Sequence, residues 1–527
     1  MICYNWKIIK SGALPPVKIG EKPMKTQKDK RGALIWIPLG ILLMVSMWML
    51  CYDFVLACVN YSPIKGVFGS TFVGMQNFDR VFSNYAFGNQ LGNSLVYSLL
   101  NIVCALVLGA PIALLLGLIP SRPVKAMFAG LALAFALVPD IFWVQSVMSI
   151  LPARIRVDPN FYPFVYMLCK LAPLTGMAVF AGLSLNLAEN KSGIVGALLV
   201  GLLPLLTVFT PEAGTTMLLQ NAINQNISDT VAAGVYRTGF MQGQYSYAEA
   251  MSLIGIFFNF LVGIGFLFVL GAMAKRKKRM AKVAEPRSAW FGEGALGAVG
   301  TVAAGTFIVL GLLFGGKLYS APMVGHAALN TVGTAMLAVI FIFGVSMLLF
   351  VGTRYCRSGF GLMLITFLLL QMSTIHMSHY LAARSLGMIN TILPGVFGVF
   401  FHPAFLTVLM VLMACRPTSG RQMVFASLGT ALIAGAVAAG DWYTNLIYVS
   451  RQDTFTLPMV VRQTLYNAEA ASAGSSATLV MIIVVVVFAA LGAMMTFAGL
   501  AGSRLEEAQK PAEEPSATDA LYGTADI

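Results

Sequence analysis

The chain has 527 residues, of which 58% are hydrophobic and only 10% are charged, and its formal net charge is +13. Long apolar stretches recur from one end to the other, and a water-soluble domain could not bury so many of them. The composition therefore excludes a soluble globular protein and predicts an all-α polytopic integral membrane protein with the lipid bilayer as its main partner. The excess of positive charge then belongs to membrane-surface loops, and we expect no nucleic-acid partner.

Twelve apolar stretches, taken in chain order, have the length that a transmembrane helix needs. The first six lie at residues 33–58, 91–118, 124–150, 162–187, 193–210 and 248–274. The second six lie at residues 295–316, 327–352, 359–378, 390–415, 423–439 and 476–500. Placing both termini in the cytoplasm puts most of the 34 Lys and Arg residues on the inner side, as the positive-inside tendency predicts.

A basic segment separates the two blocks of six spans. It begins KRKKRMAKVAEPRSAW, and we interpret it either as an anchor at an anionic membrane surface or as a docking site for a cytoplasmic partner. The predicted organisation is a basic cytoplasmic tail at 1–32, a first half at 33–274, a linker at 275–294, a second half at 295–500 and a disordered tail at 501–527.

Three longer segments are predicted on the outer side, at about 59–90, 211–247 and 440–475. They are rich in Tyr, Phe, Asn, Gln and Gly rather than in charged residues. Aromatic rings stack on sugar rings and amides bond to hydroxyls, so these segments suit a carbohydrate or a protein partner. An aromatic belt at the membrane interface has the same composition, and the sequence alone leaves both interpretations open.

Four stretches of sequence resemble permease subunits of bacterial ABC importers for complex carbohydrates. YSPIKGVFGSTFVGMQNFDRVF (61–82) is similar to the segment after the first span, and DTVAAGVYRTGFMQGQYSYAEAMSLIGIFFN (229–259) to the segment that leads into the last span. SHYLAARSLGMINTILP (378–394) and GDWYTNLIYVSRQDTFTLPMVVRQTL (440–465) are similar to regions of the companion subunit. The chain thus resembles both permease partners fused through the linker.

This resemblance implies two six-helix bundles of the type I ABC importer permease kind in a bacterial plasma membrane. It also implies a translocation path between the halves, an extracytoplasmic lipoprotein that binds sugar, and a nucleotide-binding ATPase on the cytoplasmic side. Members of that family carry a long cytoplasmic loop with a coupling helix before the fifth span of each subunit. The corresponding turns here read AENKS (188–192) and RPTSGRQ (416–422).

Both turns are too short for a helical turn with two connectors, which predicts that the Glu-Ala-Ala coupling loops are missing. An ATPase that contacts no such helix cannot bias the conformation of the bundle, and this argues against ordinary ATP-driven import. The sequence also contains no GxxxxGK[ST] phosphate-binding loop. The alternative function is a permease-derived membrane platform that holds extracytoplasmic or membrane partners without being driven by an ATPase.

Polar residues inside the spans are the candidates for a substrate path, because burying them in lipid is costly. Lys170 in the fourth span either lines a cavity, pairs with Asp140 of the third span, or extends along a tilted helix to the interface. Asp140 follows Pro139 and precedes Trp143, and it marks either a proline kink with a satisfied carboxylate or a cavity-facing site.

Gln371, Trp442, Tyr443 and Asn445 are candidate sugar-facing groups of the second half, with interfacial aromatics as the alternative. His376, also a candidate for the path, lies three residues before His379 on one helix face, but no acidic or sulfur ligands accompany the pair. We expect no metal site, no cofactor and no enzymatic activity, because no catalytic cluster or cofactor fingerprint is present. The seven cysteines have no metal-binding spacing and are interpreted as buried apolar residues.

Overall fold

The structure, a computed structural model, describes residues 40, 44, 47–189, 193–209, 213–275, 289–315, 322–355, 377–402, 404–405, 408–409, 412, 420–466 and 471–508. The first half, here the described residues up to Lys275, contains fourteen α-helices. They are α1 Met47–Ala57, α2 Gly66–Gly69, α3 Gln76–Phe82, α4 Tyr85–Val107, α5 Gly109–Gly117, α6 Arg122–Leu137, α7 Asp140–Ile150, α8 Ala153–Val157, α9 Tyr162–Glu189, α10 Gly193–Gly201, α11 Gly214–Leu219, α12 Gln225–Ser228, α13 Val231–Tyr236 and α14 Tyr245–Lys275.

The second half, here the described residues from Ala289 onward, contains seven α-helices. They are α15 Ala289–Gly315, α16 Pro322–Tyr355, α17 Met377–Ser385, α18 Gly420–Gly440, α19 Tyr443–Tyr448, α20 Leu457–Tyr466 and α21 Ala471–Ala508. The described residues also form 3₁₀ turns at Pro159–Phe161, Leu203–Thr207, Leu393–Phe401 and Gln452–Thr454, and a π-helical turn at Arg237–Met241. Strands β1 Val59–Ser62 and β2 Ser70–Phe72 pair antiparallel, with Val59 opposite Phe72.

The chain is an all-α polytopic membrane protein, apart from this one small hairpin among the described residues. Seven stretches of the described chain are long and apolar enough to cross a membrane. They are Tyr85–Gly117, Pro159–Leu187, Tyr245–Gly265, Gly292–Leu312, Val324–Val351, Gly420–Gly440 and Ser476–Leu500. An eighth would be the helix pair α6 and α7 taken together. The count of twelve stays a prediction, because the stretch 359–376 and most of 33–46 and 406–415 lie outside the described residues.

The third predicted span is not one straight helix. α6 ends at Leu137, Val138 and Pro139 are extended, and α7 leaves at 79° to α6. Pro139 lacks an N–H and its ring disfavours a helical residue before it, so the helix has to stop and restart at this point. The span predicted at 193–210 is likewise divided, into α10 and a 3₁₀ turn with Pro204 in it.

Two predicted boundaries also differ from the helices. The last helix, α21, continues to Ala508, eight residues into the predicted tail. α15 begins at Ala289, within the predicted linker, and therefore includes Glu293. Residues 276–288 of the linker and 509–527 of the tail lie outside the described part of the chain.

The two halves pack directly against each other. α6 of the first half runs beside α15 of the second, and α21 contacts α6 and α9 as well as its own neighbours α15 and α18. The approach of α6 to α15 is so close that a Cβ atom at Gly130 would lie 1.8 Å from the carbonyl oxygen of Gly297. The largest buried apolar cluster contains residues of both halves, such as Leu133 and Ile433. Glycine and alanine are what permit backbones to meet in this way within a membrane.

Candidate functional site

A buried ion pair lies at the break between α6 and α7. The Lys170 ammonium on α9 bonds to Oδ2 of Asp140, and the Thr215 hydroxyl donates to the same oxygen at 2.7 Å. The Lys170 side chain is buried at 8% exposure, and the Asp140 side chain is largely buried at 13%. The pairing is thus one of the arrangements that the sequence allowed, and Thr215 is a third member that the sequence did not indicate. The carboxylate is satisfied within the protein.

The break contacts the second half. A Cβ atom at Gly440, the last residue of α18, would lie 2.6 Å from Cγ of Pro139, so the backbone of α18 touches the proline ring directly. Val138 and Phe142 pack in one apolar cluster with Ile308, Ile482 and Val486 of the second half. The bend between α6 and α7 is therefore packed against helices of the second half.

The candidate residues Trp442, Tyr443 and Asn445 follow that contact point, and all three are buried. The Arg462 guanidinium lies over the Trp442 ring, with 5.3 Å between its carbon and the ring centroid. The Asn445 amide donates to the carbonyl oxygen of Asp441 at 2.5 Å. The Trp442 and Tyr443 rings meet edge to face, with centroids 5.6 Å apart. Their predicted role in a substrate path stays a prediction.

Tyr443 belongs to a group of rings that joins the halves, which we call the aromatic seam. Its members are Tyr236, Phe240 and Tyr245 of the first half and Tyr380, Tyr443 and Tyr448 of the second. Tyr236 meets Tyr443 with 6.1 Å between ring centroids, and Phe240 meets Tyr380 edge to face at 5.0 Å. Tyr245 stacks on Tyr380 at 6.3 Å, and Tyr380 in turn approaches Tyr448 at 6.2 Å.

Two arginines accompany the aromatic seam. Arg384 is exposed and interacts electrostatically with Tyr245. Arg462 is close to Tyr236, and its charge opposes the effect of burial, which raises the pKa of the Tyr236 phenol. Burial likewise raises the pKa of Tyr448. Because both phenols stay protonated at neutral pH, the seam presents neutral rings and hydroxyl groups beside positive charge.

Segments of the two halves also contact each other beside the seam. The carboxylate of Glu249 on α14 is fully buried and accepts the backbone N–H of Met377, at the start of α17, at 2.8 Å. A Cβ atom at Gly239 would lie 2.4 Å from Sδ of the same methionine. Glu249 and Gly239 both belong to the stretch 229–259 that resembles importer permeases. A residue pair 128 positions apart leaves no periodic signal in a sequence, so this contact was not predicted.

A second polar network ties the halves together at the opposite end of α6. Arg122 donates through Nε to Glu293 at 2.6 Å and through its terminal nitrogen to the carbonyl oxygen of Leu187 at 3.3 Å. Lys125, one turn further along α6, is buried and donates to the Asn186 amide oxygen at 2.7 Å. These contacts join α6, α9 and α15. The signal that sequence reasoning passed over was the single acidic residue, Glu293, at the start of an apolar run.

The remaining candidates lie partly within the described residues and partly outside them. Gln371 and His376 lie outside the described residues, so their predicted places in the path are not located. Trp143 lies on α7 against Phe135, with 6.1 Å between ring centroids. Within the described residues no three His, Cys, Asp or Glu side chains come close enough together to hold a metal ion. Three of the four described cysteines are buried, and Cys51 is exposed.

Comparison with known proteins gives two relatives from Bacillus subtilis (strain 168). The chain is 24% identical to the protein LplB over 297 residues, which cover 47% of this chain and 90% of LplB. It is 23% identical over 297 residues to the polygalacturonan/rhamnogalacturonan transport system permease protein YteP, with 48% of this chain and 90% of YteP covered. No family model matches the sequence, and no solved structure matches it.

These similarities agree with the resemblance found in the sequence motifs. A transport permease is not an enzyme, and both the similarity and the apolar helices are those of a multi-pass membrane protein. The matched share, about half of the chain, is comparable in length to one predicted half. The chain is therefore similar, over about half of its length, to a permease protein of a polygalacturonan/rhamnogalacturonan transport system.

Proposed function

We propose that the chain is the membrane-spanning component of a carbohydrate transport system, with both permease subunits fused and a translocation path between its two halves. The observation that carries this proposal is the coverage of the relatives, since about half of this chain covers 90% of each of them. The remaining half supplies a second set of apolar helices, which packs directly against the first. A covalent tether raises the effective concentration of each half for the other, so the pair assembles without a search.

The aromatic seam is the part of this interface best suited to sugar. Rings from both halves meet there, and Arg384 and Arg462 stand beside them. Sugar rings stack on aromatic faces, and an arginine binds the carboxylate of an acidic sugar through two hydrogen bonds. YteP is named for polymers of galacturonic acid and rhamnose. We therefore propose acidic oligosaccharides from such polymers as the substrate class.

The arrangement of the halves supports a closed conformation. The seam packs at one end of the interface, and the bonds from Arg122 to Glu293 hold the other end. Passage of a sugar would require the rings to part on one side and this ion pair to part on the other. The extracytoplasmic lipoprotein that the resemblance implies would deliver sugar to the seam, where the outer segments of both halves meet.

Uptake of a labelled oligogalacturonide tests the proposal in cells that lack this protein and carry it on a plasmid. Tyr380→Ala and Arg384→Ala should each reduce uptake by about tenfold, corresponding to roughly 1.4 kcal/mol of lost interaction. Phe307→Ala is the control, because Phe307 on α15 is 73% exposed and does not belong to the seam. Uptake that is unchanged when the whole gene is deleted would overturn the proposal.

A second candidate function has its own supporting observation. α9 ends at Glu189 and α10 begins at Gly193, which leaves three residues between them for any coupling element. A helical turn needs 3.6 residues before connectors are counted. We propose as the alternative a permease-derived platform that no ATPase drives and that holds partners outside the cell or in the membrane. The corresponding turn of the second half, 416–422, lies mostly outside the described residues.

Affinity purification of the full chain in mild detergent distinguishes the two candidates. If the chain is an ATP-driven importer, mass spectrometry should detect in the eluate a nucleotide-binding ATPase at a fixed ratio to this chain. An eluate that holds extracytoplasmic or membrane partners, and no ATPase, supports the platform. A further test inserts a longer loop with a coupling helix between Glu189 and Gly193. Only a platform that lacks the coupling loop should gain ATPase binding from this insertion.

A further inference from the structure

A groove of about 570 Å³ opens between α5, α6, α7 and α9, and all of its wall residues belong to the first half. The 79° bend after α6 swings α7 out and leaves this space beneath it. Its volume is in the range of small-molecule sites, roughly 300–1,000 Å³. Neither the ion pair nor the aromatic seam contributes a residue to its wall.

The wall of the groove is almost entirely apolar. Leu, Ile, Val, Ala and Phe side chains form most of it. Its two hydroxyl groups are engaged with backbone, since Ser146 donates to the Phe142 carbonyl at 2.8 Å and Thr175 to the Cys104 carbonyl at 3.1 Å. The indole Nε1 of Trp143 is the polar atom of the wall that has no partner in the structure. A sugar or another polar solute would lose its hydrogen bonds to water here without replacing them.

The groove is continuous with the surface that faces lipid. Leu108, Ile112 and Ile150 line it and are also exposed, Ile150 at 81%. Leu115 of α5 and Leu118, directly after its end, extend this exposed apolar surface. In a chain that spans a bilayer, such a surface contacts acyl chains, and a groove in it is filled by them rather than by water.

Positive charge follows one edge of the groove in the chain. Leu151 lines it, and α8 follows directly with Arg154 and Arg156. Nε of Arg156 is buried and has no hydrogen-bond partner in the structure. The nearby Asp158 carboxylate is engaged in accepting the backbone N–H of Asn160 at 2.9 Å. Arginine recognises phosphate through its planar fork of donors, and each cation near a membrane surface attracts anionic lipid by about 1 kcal/mol.

We propose that this groove is a binding site for one anionic phospholipid of the bilayer, with an acyl chain under α7 and the phosphate at Arg154 and Arg156. The site holds a structural lipid that fills the space left by the bend. Trp143 lies in the wall of the site and reports on its occupancy.

Native mass spectrometry of the full chain, purified in mild detergent and supplied with phosphatidylglycerol, tests the proposal. We expect one retained lipid. Ala172→Phe, which adds volume to the groove wall, should lower the occupied fraction by about tenfold, corresponding to roughly 1.4 kcal/mol. Ala303→Phe is the matched control, since Ala303 is exposed on the membrane-spanning part of α15 and should leave lipid retention unchanged.

The charged end is tested separately. Arg154→Ala and Arg156→Ala should each reduce the preference for phosphatidylglycerol over phosphatidylcholine by about fivefold, the factor for roughly 1 kcal/mol. Lys65→Ala, at another exposed cation, is the control and should change nothing. If the two arginine variants keep the full preference, the headgroup assignment is overturned.

Fluorescence gives an independent measurement in bilayers. The chain has six tryptophans, and the difference in emission between the wild type and Trp143→Phe isolates Trp143. Phosphatidylglycerol with brominated acyl chains should quench this difference signal strongly, and Ala172→Phe should weaken the quenching. A difference signal that is not quenched would mean that protein covers the groove, such as a second copy of the chain, and would overturn the proposal.

Discussion

Asp140 and Lys170 carry opposite charges in a part of the chain that is surrounded by apolar side chains. Each would be very costly to bury alone, and the bond between them, with the Thr215 hydroxyl on the same oxygen, reduces that cost. A pair of this kind adds little stability compared with two apolar residues of similar size. It fixes the position of α7 against α9, because the ion pair connects one helix to the other.

Removing one member of the pair should be much worse than removing both. We expect Asp140→Asn to lower the free energy of unfolding by about 3–5 kcal/mol, because Lys170 would remain buried without its counter-charge. The double variant Asp140→Leu with Lys170→Met should lose far less. Unfolding of the full chain in mixed micelles by SDS measures both. A double variant as unstable as the single one would contradict this explanation.

Asn390 is the one residue other than glycine with a left-handed backbone in the described chain, at φ +60°. Its side-chain oxygen accepts bonds from the Ser450 N–H at 2.7 Å, the Ser450 hydroxyl at 2.9 Å and the Arg451 N–H at 3.1 Å. Its own N–H donates to the Tyr448 carbonyl at 2.9 Å. Asparagine adopts this conformation more readily than most residues, and here its amide also holds the segment that follows α19.

Substitutions at Asn390 should separate the backbone conformation from the hydrogen bonds. Asn390→Asp keeps both an acceptor and tolerance of positive φ, so we expect little change in the thermal unfolding temperature. Asn390→Gly keeps only the conformation and should cost about 1 kcal/mol per lost bond, and Asn390→Ala should add a further 1–3 kcal/mol of backbone strain. Equal losses for glycine and alanine would show that strain plays no part.

At the scale of elements, α6 and α15 form the closest contact between the two halves. A Cβ atom at Gly300 would lie 1.9 Å from the Met127 carbonyl oxygen, and the Thr301 hydroxyl donates to the Gly130 carbonyl at 3.0 Å. Helices that meet at glycine gain dispersion contacts along their backbones, which is the main source of helix association in lipid. The interface depends on the absence of side chains at these positions.

Gly300→Leu should therefore force α6 and α15 apart and lower the thermal unfolding temperature of the purified chain by several degrees. Gly311→Leu on the same helix is the matched control, because a Cβ atom at Gly311 would meet nothing within 4 Å. The two variants have the same change in helix propensity and apolarity. Equal behaviour of the two would refute a packing role for Gly300.

The sequence predicted some of these features and missed others for identifiable reasons. A lysine and an aspartate in neighbouring spans need a partner, so their pairing was among the expected arrangements, and Pro139 pointed to a break in the third span. The 79° angle between α6 and α7 was not predictable, since it depends on how Ile308 and Ile482 of the second half pack against the bend. The Arg122–Glu293 contact joins residues 171 positions apart, and no local pattern records such a distance.

The candidate sugar-facing residues that the structure describes are buried, which their chemistry alone did not indicate. Trp442, Tyr443 and Asn445 were chosen for their chemistry, and the structure brings them together around Asp441 and the start of α19. Their grouping in the chain was visible in the sequence. Whether a ring faces outward or packs on a ring of the other half is decided by tertiary contacts, and the aromatic seam was accordingly not predicted.

At the scale of the whole molecule, the halves are held by their interface as well as by the linker. Buried apolar clusters contain residues of both halves, and polar contacts join them at Arg122 with Glu293 and at Glu249 with Met377. Such an interface should survive the loss of the covalent connection. The linker then contributes to assembly through effective concentration and contributes little to holding the finished fold.

Cleavage of the linker tests this directly. A protease site inserted within residues 276–288 of the full chain, cut after purification, should leave the halves together in size-exclusion chromatography. The same cut in the Gly300→Leu variant should release them, while the cut in Gly311→Leu should not. Separation of the cut wild-type halves would show that the tether is essential for their association.

The contact of Gly440 with Pro139 has a consequence for the proposed transport cycle. Gly440 touches the proline at the point where the third span changes direction. A rocking motion of one half against the other therefore has to pivot at this contact or break it. With such a pivot, the parts of the two halves on either side of the contact would move in opposite directions. A covalent crosslink between positions 139 and 440 should for this reason leave the aromatic seam and the Arg122–Glu293 contact free to separate, whereas a crosslink from 122 to 293 should prevent separation at that end.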